Sequence, residues 1–187
     1  MRHNLVLTGL GGQGIIFAGR LLSQMALTKG WPVIGAETHG MAQRGGSVVA
    51  HLRFGGYQGS LVPAGQADAL LAFKENEAYR ILDAVKPSGL VFINAPAFPR
   101  PEVRDYVQTA GLEGLSIDAD FLAVENGLPR SVNLIFLGFV CASGRLPFSL
   151  DELIEAVKNV TPPARLEGNL KAVELGAQKA GRSDVTP

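Results

Sequence analysis

The apolar run Leu5-Val6-Leu7 enters Gly9-Leu10-Gly11-Gly12-Gln13-Gly14 almost directly, and a helical apolar pattern leaves it directly. Few folds accommodate that junction. The spacing Gly9, Gly11, Gly14 fits G-x-G-x-x-G, in which small residues permit a sharp turn, close approach of a ligand to backbone N–H groups, and tight packing of helix on strand. A helix is expected from about Gln13 to Lys29, because Ala18, Leu21, Leu22 and Met25 recur at i, i+3, i+4 and i+7 and Gly30 precedes Trp31-Pro32 as a stop. Strand, glycine turn and helix open a parallel α/β sheet, and the helix start aims N–H groups at whatever fills the turn. Gly11, Gly12, Gln13 and Gly14 are therefore candidates for holding a phosphate or carboxylate. The alternative is that the glycines only make a tight turn.

A second polar stretch, Glu37-Thr38-His39-Gly40-Met41-Ala42-Gln43-Arg44-Gly45-Gly46, follows the strand pattern Pro32-Val33-Ile34-Gly35-Ala36. Such a loop, rich in convergent polar groups, suits function carried on a rigid scaffold. The two loops are expected to face each other at the carboxyl ends of neighbouring parallel strands, where open α/β sheets bind ligands. Arg44, beside Gly45 and Gly46, is a candidate for a bidentate carboxylate or phosphate contact, or it pairs with Glu37. Glu37, His39 and Gln43 either orient the loop or touch a partner, and a backbone hydrogen bond is the stronger reading for His39. Glu37 also occupies the place of a ribose-binding acid, but no crossover helix follows it. Ser47 to Phe54 alternates, with Val48, Ala50, Leu52 and Phe54 inward and His51 and Arg53 outward, where they read as subunit interface. Gly55, Gly56 and Gly59 then predict a hairpin returning through Leu61-Val62 to Pro63.

Ala69 to Phe73 reads as a strand covered on both faces, Lys74 to Val85 as a helix, and Leu90 to Ile93 as another strand. The prolines between Asn94 and Pro101 impose a loop, followed by a helix near Val103 to Ala110 and a strand at Leu115-Ser116-Ile117. Asp118 is placed to cap a short helix. From Ser131 the pattern is helical. Asn133 to Ser143 is apolar nearly all round, so it is either an inner helix or one buried by another chain, and partner burial is attractive here. Ser149 and Glu152 form a capping box, and a last helix spans about Arg165 to Ala180. The fold expected is a Rossmann-like, mostly parallel sheet flanked by helices, with a β-hairpin inserted after strand 2 and a helical part over 131–181. One domain, 1–181, precedes a frayed tail, 182–187.

Lys plus Arg (17) equals Asp plus Glu (17), so no positive field favours nucleic acid. Charged residues are 18% of the chain and hydrophobic ones 47%, which favours an oligomer in which a partner covers apolar surface. The single cysteine, Cys141, rules out a disulfide framework or a four-cysteine cluster from this chain and is expected simply to pack. With no signal-peptide or membrane-spanning pattern, the expected compartment is the cytoplasm.

Taken together, the glycine turn, Glu37-Thr38-His39-Gly40, Gln43-Arg44-Gly45-Gly46 and Arg53 resemble the gamma-type domain of 2-oxoacid:ferredoxin oxidoreductases, the pyruvate/ketoisovalerate oxidoreductase family, with a likeness to the small subunits of its indolepyruvate branch. The resemblance continues through Asp68 to Phe73 with Glu77 and Arg80, Lys86-Pro87-Ser88-Gly89, Asn133 with Leu137-Gly138, and Asn169-Leu170-Lys171-Ala172 with Leu175-Gly176. Lys74 departs from the glutamate common there, and no role is assigned to it. The resemblance implies a subunit of an enzyme that oxidatively decarboxylates a 2-oxo acid, such as an aryl pyruvate, to an acyl-coenzyme A and reduces ferredoxin. It further implies thiamine diphosphate, Mg and [4Fe-4S] clusters on a large alpha-type partner, coenzyme A as substrate, and a hetero-oligomer. This chain has no Gly-Asp-Gly segment for a magnesium diphosphate, so no residue of it is expected to be catalytic alone. Two rivals stand beside that reading: a free-standing nicotinamide or flavin oxidoreductase built on the Gly9 turn, and a non-enzymatic nucleotide-binding scaffold.

Overall fold

The computed structural model describes residues 2–39, the last without its side chain, and 45–180. Six strands form one sheet: β1 (His3–Leu10), β2 (Val33–His39), β3 (Ser47–Phe54), β4 (Ala67–Ala72), β5 (Val85–Asn94) and β6 (Glu113–Ile117), in the order β2-β3-β1-β4-β5-β6. β1, β4, β5 and β6 run parallel, whereas β3 is antiparallel to both β1 and β2. The hairpin expected after strand 2, from Ser47–Phe54 back through Leu61-Val62, is not formed; β3 pairs back onto β2 instead. Leu61-Val62 does not return as a strand. In place of that return strand is an irregular segment that the side chains of β3 hold against the sheet.

Alternation decides which side each strand residue faces. Leu5, Leu7, Ala50, Leu52 and Phe54 join one core with α1 (Ile15–Thr28), while Val6, Leu70, Val91 and Ile93 join the other. The second face is covered by α2 (Glu75–Tyr79) and α3 (Arg104–Thr109), together with residues 57–66. α2 is much shorter than the helix expected over Lys74 to Val85. After Tyr79 the chain makes a short 3-10 turn, Leu82–Ala84, so that Leu82 and Val85 both enter the core and Val85 pairs with Ala67. Tertiary burial here overrides helical periodicity.

α4 (Ala119–Glu125) starts at Asp118, whose carboxylate accepts the N–H of Phe121 at 2.9 Å, the expected cap. α5 (Val132–Ala142) is the inner helix of the chain, with Leu134 to Cys141 buried beneath α6 (Leu150–Val160) and α7 (Pro163–Ala180). Its apolar circumference is satisfied inside the chain, so of the two alternatives it is the inner helix and not one buried by another chain. α5 and α7 cross with backbones nearly touching: a Cβ on Gly138 would lie 2.9 Å from the Val173 carbonyl carbon, and one on Gly176 2.7 Å from that of Ile135. Burial holds the Cys141 thiol protonated, its pKa pushed up to about 12. Ser149 and Glu152 form the expected capping box.

Candidate functional site

The glycine turn and the β2–β3 loop meet. The N–H of Gly11 donates to the carbonyl of Gly46 at 2.9 Å, so both lie at the carboxyl edge of the sheet as expected. The strands are neighbours but not parallel ones: the loop leads into β3, which pairs antiparallel with β1 and separates it from β2. That places Glu37 two strand spacings from β1, about 10 Å, and a ribose held at the glycine turn is beyond the geometry a dinucleotide-binding unit provides. Glu37 is exposed on the edge strand β2. His39 ends that strand opposite Val48, while its side chain and all of Gln43 and Arg44 lie outside the described residues.

Two of the four N–H groups expected to hold an anion are used within the chain. Gly11 donates to Gly46, and Gln13 donates to the Leu10 carbonyl at 3.1 Å. The turn is braced by the Gln13 side chain instead: its Oε1 accepts the N–H of Leu10 at 2.7 Å and its Nε2 donates to the Phe73 carbonyl at 3.2 Å. This one amide ties the ends of β1 and β4 together. Asn94, at the end of β5, continues the brace, donating to the Phe73 carbonyl at 3.3 Å and to Asp120 at 3.1 Å while accepting the N–H of Ala119 at 2.8 Å. Three parallel strand ends are thereby locked at fixed spacing.

Between these ends and the start of α5 lies a cleft of about 330 Å³ lined by Gly12, Gly14, Phe73, Asp120, Arg130 and Asn133. A second cleft of about 430 Å³ shares Arg130 and Asn133 with it and extends past Phe17 to Thr161, Arg165 and Asn169. A still larger depression, about 850 Å³, runs along α3 and β6 beneath Phe98, away from the strand ends. Among the described residues no carboxylate pairs with Arg130 or Arg165, so the guanidiniums at the twin cleft keep their donors for an anion. Asp120, Arg130 and Asn133 are site residues that periodicity does not reveal. Asn133 alone leaves a signal, an amide at the start of an otherwise apolar helix, because a buried polar group needs a partner.

His51 and Arg53 are committed inside the chain, which corrects their expected place at a subunit interface. Arg53 is 9% exposed and donates to Asn4 Oδ1 at 3.0 Å and to the carbonyls of Gly59 and Leu61 at 2.9 and 3.0 Å, with its guanidinium 3.8 Å from the Tyr57 ring centre. His51 Nδ1 accepts the N–H of Val62 at 3.2 Å. Together they pin the segment that takes the place of the expected return strand at Leu61-Val62.

The buried Cys141 thiol is no cluster ligand, and among the described residues no group of three or more His, Cys, Asp or Glu could hold a metal. No described helix is long and apolar enough to cross a membrane.

Residues 4–179 match the model of the pyruvate ferredoxin/flavodoxin oxidoreductase family. The chain is 37% identical to the indolepyruvate oxidoreductase subunit IorB of Pyrococcus horikoshii and 36% identical to that of Thermococcus kodakarensis, in each case over 95% of this chain and 96% of the relative. Its fold resembles the gamma subunit of a keto/oxoacid ferredoxin oxidoreductase from Geobacter sulfurreducens, with a TM-score of 0.74 and 22% identity over 96% of this chain and 99% of that one. It also resembles part of a 2-oxoglutarate:ferredoxin oxidoreductase from Magnetococcus marinus, with a TM-score of 0.80 and 21% identity over 99% of this chain but 32% of that one.

Proposed function

We propose, from the premise that this chain belongs to the pyruvate ferredoxin/flavodoxin oxidoreductase family, that it is the small, non-thiamine subunit of an enzyme acting on aryl pyruvates such as indolepyruvate. The chain is a subunit of a 2-oxoacid:ferredoxin oxidoreductase. One observation carries the finer reading: at 36 and 37% identity the chain aligns with nearly the full length of relatives named as indolepyruvate oxidoreductase subunits. In the assembled enzyme a large partner subunit would hold the thiamine diphosphate and the iron–sulfur clusters, which would supply the decarboxylation and electron-transfer chemistry.

This chain's own contribution is to shape and charge the place where substrate or coenzyme A lies. Arg130 offers a planar fork to a carboxylate or phosphate, and the Asn94 brace keeps Asp120 beside it. The Gly11–Gly46 hydrogen bond ties the start of β3 to the same edge, and Arg44, two residues before Gly46 in the sequence, is a second candidate for the anion. The braced strand ends preorganise these groups, so little ordering entropy is lost on binding.

The test is co-expression with the large thiamine-type subunit, followed by viologen or ferredoxin reduction with indolepyruvate, phenylpyruvate and pyruvate plus coenzyme A. A stable complex that needs this chain and prefers an aryl pyruvate is the expected result. A complex that prefers pyruvate would overturn the substrate, and a chain that adds no activity would overturn the subunit reading.

A further inference from the structure

The depression of about 850 Å³ along α3 and β6 shares no residue with the two clefts at the strand ends. Its size falls within the range of small-molecule sites. Its floor is apolar, since Phe98, Val107 and Leu112 line it and each is at most 8% exposed. The walls are fixed by contacts within the chain. Phe98 sits against the sheet at Gly114, where a Cβ would run into its ring, and it stacks on Tyr79 with ring centres 6.2 Å apart and planes 14° from parallel. The loop that carries Phe98 is fastened to α2 by Arg100, whose guanidinium donates twice to the Glu75 carboxylate at 2.6 Å and whose backbone N–H donates to the Tyr79 hydroxyl at 3.3 Å. On the other side the N–H of Leu112 donates to the Val107 carbonyl at 2.9 Å, tying the end of α3 to the start of β6. A hollow braced in this way costs a ligand little ordering entropy.

The polar groups of the hollow are few and one-sided. Arg104 and Gln108 stand at i and i+4 of α3, so they share one face of that helix, and both line the hollow. Among the described residues Arg104 has no ion pair and the Gln108 side chain no hydrogen bond. Glu113, the one carboxylate of the lining, is paired with Arg145. The uncompensated charge is therefore positive, and an amide donor stands beside it. A guanidinium next to an amide suits the two oxygens of a carboxylate, while the floor demands an apolar body. An exposed arginine alone is a solvated cation; one at the rim of a buried apolar floor selects for amphipathic anions. We infer that this hollow binds a small amphipathic carboxylate, an aryl or branched-alkyl acid whose apolar body lies against Phe98, Val107 and Leu112 and whose carboxylate meets Arg104 and Gln108. The inference does not depend on the subunit reading above.

The test titrates the full chain, labelled for amide-shift NMR, with indoleacetate and phenylpropionate. Acetate and indole ethanol serve as controls, the first without the apolar body and the second without the carboxylate. Both acids are expected to bind with a Kd below about 1 mM and to shift the amides of Val107, Leu112 and Gly114, with each control at least about tenfold weaker. Arg104→Gln, at an exposed position, is expected to weaken both acids about tenfold, as loss of a charge-assisted hydrogen bond does. Circular dichroism checks that its fold is unchanged. Arg130→Gln, at the strand-end clefts, is expected to bind the acids within about threefold of wild type. Absence of saturable binding by either acid up to about 10 mM would overturn the inference, as would controls that bind as well as the acids, or wild-type affinity in Arg104→Gln. Shifts centred on Gly12 and Asn133 that Arg130→Gln abolishes would also overturn it, by placing the acids in the smaller strand-end cleft.

Discussion

Asn133 and Gly14, separated by 119 residues in the chain, are in contact: the Asn133 amide donates to the Gly14 carbonyl at 3.4 Å, and a Cβ on Gly14 would come 3.0 Å from its Cγ. The glycine turn is therefore held from above by α5 as well as from below by β1. Gly14 also has a positive φ of 77°, which an L side chain adopts at a cost. Gly14→Ala should lose about 2–4 kcal/mol of stability, from backbone strain plus overpacking. Gly12→Ala, with φ 97° but open space around its Cβ, should lose only the backbone part, about 1–2 kcal/mol. Urea unfolding of the two variants checks the difference.

Arg130→Ala should raise the KM for coenzyme A or the 2-oxo acid about tenfold or more in the reconstituted enzyme, the loss expected for a charge-assisted hydrogen bond. Folding should be unchanged, because the side chain is exposed and without a carboxylate partner among the described residues. Arg44→Ala should act in the same direction. A KM unaltered for both substrates in either variant would remove that guanidinium from the site.

Arg53→Met should cost about 2–4 kcal/mol, since it leaves the Asn4 side chain and the carbonyls of Gly59 and Leu61 without their donor. Arg53→Lys should recover only part, because an ammonium cannot reproduce the fork or its stacking on Tyr57. Limited proteolysis should show the first new cuts within residues 55–62.

Acid should destabilise the chain in two stages. Burial lowers the His3 pKa, an effect that Asp68 opposes and Lys86 reinforces, and burial likewise lowers that of His51. Folded histidines that resist protonation contribute stability that is complete above their unfolded pKa, near 6.5, and is lost as pH falls below it. The carboxylates act lower. Burial alone would raise the Asp68 pKa, but Lys86, the N–H of Asn4 and His3 together hold it below the usual range, and Arg100 does the same for Glu75. Their stability is present above about pH 4 and is lost as pH falls through their folded values. Urea midpoints from pH 8 to 3 should therefore decline in two steps. His51→Asn, which retains an acceptor for Val62 without titrating, should shrink only the upper one.

Gly138→Ala and Gly176→Ala should each prevent the α5–α7 crossing, with loss of soluble folded protein, because the added methyl meets backbone rather than a movable side chain. Gly168→Ala, also on α7, meets only the Leu128 Cδ2 at 3.9 Å and should stabilise by up to about 1 kcal/mol through helix propensity. Thermal melts of the three variants check the contrast.

Where period and punctuation act locally, the sequence was legible. Val48, Ala50, Leu52 and Phe54 point inward as their alternation demands, and Asp118 and Ser149 cap the helices they precede. What escaped depended on partners distant in the chain. Nothing near Arg53 announces that Asn4 will receive it, and nothing near Arg130 announces a cleft shared with Gly12 and Asp120. Nor can an apolar helix such as α5 declare whether its covering comes from its own chain or another, since burial has no direction in composition. The direction of β3 was equally hidden, because alternation reads the same in parallel and antiparallel strands.

That reversed strand has a mechanical consequence. A crossover between parallel strands must span the whole sheet, so changing its length displaces whatever it connects. The connection from His39 to Ser47 joins two stems already zipped together from Val33 opposite Phe54 to His39 opposite Val48, and Gly46 at its end is fixed by the Gly11 N–H. Residues can be added or removed at that tip without re-registering any strand. The length of the connection is thereby uncoupled from the register of the sheet that frames the clefts.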